Sequence, residues 1–97
     1  MARALHHLDL WVDDVARAEG EWGWLLVACG WQREEGLRSW LHPDGTYVFM
    51  EHSPDQHGTH DRLRPGINHL ALTLEDRAQL DRVRAESTEH GWHEMYA

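Results

Sequence analysis

The stretch Leu5-His6-His7-Leu8-Asp9-Leu10-Trp11-Val12 alternates strictly, with Leu8, Leu10 and Val12 on one face and His7, Asp9 and Trp11 on the other, which predicts a strand over residues 5–12. Asp13 and Asp14 then offer a helix N-cap. Val15, Ala18, Trp22, Leu25, Leu26 and Cys29 recur at helical spacing until Gly30 supplies a C-cap, so an amphipathic helix is expected over about 14–29. Gly20 and Gly23 weaken it by up to about 1 kcal/mol each. Three short extended segments follow at about 31–35, 37–42 and 46–51, separated by the turn signals Gly36 and Pro43-Asp44-Gly45. In the last of these, Val48 and Met50 share one face, and Tyr47, Phe49 and Glu51 share the other. Residues 52–66 are polar and rich in helix and strand breakers, and form a linker.

After the linker the pattern restarts. His69-Leu70-Ala71-Leu72-Thr73-Leu74-Glu75-Asp76 repeats the logic of His7 to Asp14 at an offset of 62, and Gly91-Trp92 answers Gly30-Trp31 at an offset of 61. Two matches in the same order indicate an internal duplication. Asp76 with Gln79 forms a variant capping box for a second helix of about 77–89, with Leu80 and Val83 on its apolar side. By the same offset the counterpart of Glu51 would fall near position 113, so the sequence describes about one and a half copies of a strand-helix-three-strand unit. The expected class is α+β in one domain over 1–97: a first βαβββ module (1–51), a linker (52–66) and a partial second module (67–97), which is C-terminally incomplete.

A chain of 97 residues is one small domain, of a size that often uses a metal or a second copy to complete its stability. All nine basic residues are arginine, which excludes Schiff-base and Walker-type lysine chemistry. The net charge of -8 repels phosphate backbones and anionic membranes, so neither nucleic acid nor a membrane is expected as a partner. Cys29, the single cysteine, cannot form an internal disulfide, and no apolar stretch has the length of a signal-peptide core or a membrane span; the expected location is the cytoplasm. Nine histidines and six tryptophans point to a polarizable, metal-capable pocket.

Strand parity sharpens that expectation. Burying each leucine is worth about 1.5 to 3 kcal/mol, so the leucine faces set the register and pack on the helices. His7, Glu51 and His69 then point the opposite way, into the concave side of a curved sheet, beside Asp9, Trp11, Tyr47, Phe49, Ala71 and Thr73. Two imidazoles and a carboxylate meeting at one point suit a divalent transition metal with open positions. The plain alternative for each histidine is a surface or hydrogen-bonded residue.

His7 to Asp14, Tyr47-Val48-Phe49-Met50-Glu51 and Arg64-Pro65-Gly66-Ile67-Asn68-His69-Leu70-Ala71-Leu72 together resemble the vicinal oxygen chelate superfamily, which includes glyoxalase I, bleomycin resistance proteins and extradiol dioxygenases. The resemblance implies paired βαβββ modules, with helices on the convex face of a curved mixed sheet. It also implies metal ligands on the first and last strand of each module, which places His7, Glu51 and His69 on three of four ligand positions. The fourth, a glutamate that also moves protons, belongs to a final strand that the sequence lacks. Four endings follow: an inactive half-pocket, a site completed by the second chain of a homodimer, a water at the fourth corner, or a metal-free pocket.

The first functional expectation is therefore lyase, isomerase or dioxygenase-type chemistry on a small substrate with vicinal oxygens. The cofactor would be a divalent ion, with zinc, nickel, iron and manganese equally compatible, and the catalytic base is unassigned. The alternatives are a binding or resistance protein that sequesters a flat ligand against Trp11, Tyr47 and Phe49, and an inactive truncated module.

The remaining candidates have plainer readings. Trp22, Trp24, Trp31, Trp40 and Trp92 are expected in packing, His52, His57 and His60 in solvent, His42 beside a turn, and Cys29 as a buried small hydrophobe. Arg62 and Arg64 either clamp an anion or balance an acidic surface, and Asp9 is either a base or a hydrogen-bond acceptor.

Overall fold

The structure, a computed structural model, describes residues 3–95. Its elements run β1 (His7–Trp11), α1 (Val15–Ala28), β2 (Gln32–Arg33), β3 (Ser39–Leu41), β4 (Tyr47–Glu51), α2 (Arg77–Glu86) and a 3-10 turn (Ser87–His90). The strands form one mixed sheet in the order β1-β4-β3-β2, with β1 parallel to β4 and the other pairs antiparallel. This is the expected α+β arrangement, with a complete βαβββ unit and a partial second one.

The leucine face decides the packing. Leu8 and Leu10 turn toward the helices, where Val48, Met50, Trp40, Leu26 and Val83 are buried. Trp40, fully buried, lies directly under α1, and a Cβ on Gly23 would stand 3.1 Å from its ring. The glycine that costs α1 propensity is thus the one that lets the helix backbone close on the core. Cys29 is buried, and burial pushes its thiol pKa up, as fits a small hydrophobe.

The two helical segments share the same local backbone devices. Asp14 caps α1 by accepting from the Arg17 N–H, and Asp76 caps α2 by accepting from the Gln79 N–H. Gln79 completes the box one residue early, since its side chain accepts from the Glu75 N–H rather than from that of Asp76. At the other ends Gly30 and Gly91 adopt φ of 94° and 88°, and the N–H groups of Trp31 and Trp92 reach back to the carbonyls of Leu26 and Ser87. Both helical segments therefore close with the same left-handed turn.

The two units meet through side chains of their helices. Trp92 donates its indole N–H to the Glu21 carbonyl and packs edge-on against Trp22, His90 stacks on Trp24 at 4.2 Å, and Gln79 donates to the Ala28 carbonyl. His90, for which the sequence offered no reading, is thus part of this joint.

One expected strand does not form. Residues 71–74 keep the predicted alternation, with Leu72 and Leu74 packed against the core and Ala71 and Thr73 exposed, while Leu70, expected on the apolar face, is exposed beside His69, and the segment joins no ladder. In the first unit β1 is held by β4, and among the described residues no segment stands in that relation to 69–74. Alternation survives because burial enforces it; strand geometry needs a hydrogen-bonding neighbour.

Candidate functional site

The parallel register of β1 and β4 pairs His7 with Tyr47, Asp9 with Phe49 and Trp11 with Glu51. All six side chains lie on the face away from the helices, because Leu8, Leu10, Val48 and Met50 occupy the other. The rows continue onto β3, where Leu41 stands beside Tyr47 and Ser39 beside Phe49. The predicted substrate-facing residues Asp9, Trp11, Tyr47 and Phe49 thus form one strip, while Thr73 is exposed on the unpaired segment.

At one end the strip is aromatic. The His7 ring stacks on Tyr47 at 4.8 Å with 8° between planes, Phe49 stacks beside Tyr47 at 6.3 Å, and His7 meets Phe49 at 5.9 Å. His6 joins from outside the ladder, edge-on to Tyr47 at 5.6 Å and with its Nδ1 2.8 Å from that of His7. The sequence reading gave His6 no role. The only signal for it was the histidine doublet itself, placed where the strand begins and alternation is not yet imposed by a ladder.

At the other end the strip is acidic. Asp9 accepts a hydrogen bond of 3.2 Å from the Trp11 indole N–H and shares another with Glu51. The contact with Asp9 raises the Glu51 pKa first through the hydrogen bond, with partial desolvation and the like charge adding to it. Of the two sequence readings of Asp9, the structure shows the hydrogen-bond acceptor.

The three expected metal ligands do not meet. His7 opens β1 opposite Tyr47, and Glu51 closes β4 opposite Trp11. Four residues of extended chain separate those rows, about 13 Å. His69 is exposed on the unpaired segment. Among the described residues no three His, Cys, Asp or Glu side chains gather closely enough to hold an ion, so His7, Glu51 and His69 do not fit a single metal centre. The positions facing His7 across the ladder and diagonally are Tyr47 and Phe49, which supply rings and no carboxylate.

Beside Tyr47 and Phe49 lies an open concavity of about 800 Å³ that extends over Arg33, Leu37, Arg38 and Ser39. Its cations are already engaged: Arg38 pairs with Glu19, and Arg33 lies 3.7 Å from the same carboxylate and over the Trp40 ring. Arg64 pairs with Asp61 in the linker, which favours the charge-balancing role over an anion clamp. His52 lies against the Val12 and Asp13 carbonyls, so it is a loop anchor rather than a free solvated side chain. No helix among the described residues is long and apolar enough to cross a membrane.

No protein-family model matches the chain. It is 28% identical over 96 residues to YqjT, an uncharacterized protein of Bacillus subtilis, a match covering 95% of this chain and 75% of that protein. The solved structure of a candidate glyoxalase from Bacillus halodurans superposes with a TM-score of 0.76 at 31% identity, covering 91% of this chain and 69% of that one.

Proposed function

We propose, from the premise that this chain belongs to the glyoxalase-like proteins, that it is a small-molecule binding protein of the vicinal oxygen chelate type, holding a flat ligand on the β1–β4 strip by ring stacking rather than through a His7–Glu51–His69 metal centre. The observation that carries this reading is the His7–Tyr47–Phe49 aromatic row at the place where a metal centre would need a carboxylate. Each aromatic contact with a bound ring contributes about 0.5 to 1.5 kcal/mol beyond area burial. Asp9 and Glu51 at the far end, on a chain of net charge -8, favour a ligand that carries a positive charge or a hydrogen-bond donor. A homodimer whose partner chain covers the open strip belongs to the same proposal.

Trp11, 52% exposed at the acidic end, is a built-in reporter. Titration with the planar cation proflavine is expected to quench its fluorescence more strongly than the aromatic anion 1-anilinonaphthalene-8-sulfonate does. Trp11→Phe should remove most of the signal, and Phe49→Ala should weaken binding about tenfold. Equal binding of both dyes, unchanged in Phe49→Ala, would overturn the reading.

A further inference from the structure

We infer that His6 and His7 form a two-nitrogen chelate for a divalent transition ion at the aromatic end of the strip, with copper(II) held most tightly. Consecutive side chains of an extended chain point to opposite sides. Here both imidazoles instead turn to one side, with their Nδ1 atoms 2.8 Å apart and the planes 77° from parallel. Both residues are exposed, so burial does not force the pairing. Tyr47 flanks both rings, stacked on His7 and edge-on to His6, and fixes their separation.

Two imidazole nitrogens bound side by side to one ion, each about 2.0 Å from it and at right angles, stand about 2.8 Å apart. The pair is therefore spaced for chelation in the tetragonal geometry that copper(II) prefers. Without an ion, one Nδ1–H donates to the other Nδ1. With an ion, both nitrogens present lone pairs, and the displaced proton moves to Nε2 of the same ring, so neutral imidazoles bind without net proton release. The remaining positions take water. This ligand set shares only His7 with the set expected from sequence and needs neither Glu51 nor His69. It also stands apart from the small-molecule reading, because the ion alone is the probe.

The test is titration of the full chain with copper(II), followed by calorimetry and by paramagnetic resonance, with circular dichroism confirming that each variant is folded. One site with two nitrogen donors is expected. His6→Gln and His7→Phe, the latter keeping a ring on Tyr47, should each weaken that site about tenfold or more, and the double variant should lose it. His69→Ala and His60→Ala should leave it unchanged. The inference is overturned if either member of the pair can be replaced without loss of affinity, or if the tightest site persists in the double variant.

Discussion

His7 and Glu51 stand at opposite ends of the same parallel ladder, His7 across from Tyr47 and Glu51 across from Trp11. Both lie on the face away from the helices as parity requires, yet the register keeps them about 13 Å apart. That relation turns a would-be metal centre into a strip with an aromatic end and an acidic end, and it makes each end testable by itself.

Divalent ion binding is expected to be indifferent to the acidic end. Glu51→Ala and His69→Ala should each leave the metal content of the purified protein, and its affinity for zinc or nickel, within about twofold of the parent. Metal analysis and calorimetry check this. Loss of a bound ion in both variants would restore the three-ligand centre.

The two interior glycines of α1 should respond with opposite signs. Gly20 has no atom within 4 Å of a would-be Cβ, so Gly20→Ala should stabilise the protein by about 0.5 to 1 kcal/mol through helix propensity. At Gly23 the added methyl meets fully buried Trp40 at 3.1 Å, and overpacking of about 1 to 3 kcal/mol outweighs the propensity gain. Urea unfolding of both variants measures the difference.

The acid pair gives a pH signature. The pKa of Glu51 is raised on folding by the hydrogen bond its protonated carboxyl donates to Asp9, so the folded chain holds this proton more tightly than the unfolded one. Its contribution is present below the ordinary glutamate range and is lost as pH rises through the raised value. Glu51→Gln keeps a donor toward Asp9 without the charge. The variant should therefore melt higher than the parent at pH 7, with the gap closing near pH 4, as thermal scans at the two pH values would show.

The joint between the two units rests largely on Trp92. Trp92→Ala removes an edge-on contact with Trp22 and the hydrogen bond to the Glu21 carbonyl, and Trp92 is half-buried, so a loss of about 2 to 3 kcal/mol is expected. Hydrogen exchange should show α2 opening first. Uniform destabilisation with unchanged exchange in α2 would mean that the joint lies elsewhere.

Several features were legible from local pattern. The Leu8, Leu10 and Val12 alternation, the caps at Asp14 and Asp76, and the Gly-Trp endings at 30–31 and 91–92 all appear where the sequence places them. Each depends on neighbours within a few residues, so periodicity and turn chemistry suffice to read it. His6 had no reading because it precedes the ladder, where alternation no longer dictates direction, and the strand at 69–74 was expected from a pattern that burial alone can sustain.

The sequence by itself determined which side of β1 and β4 faces the helices, where the two helices begin, and which glycines close the two helical segments. Only the tertiary structure decided how far along β1 each residue of β4 sits, which ring stacks on His7, and that His6 turns to the same side. The physical reason is that parity fixes the direction of a side chain, whereas its neighbours across a sheet are fixed by register, and register is set by the packing of residues distant in sequence.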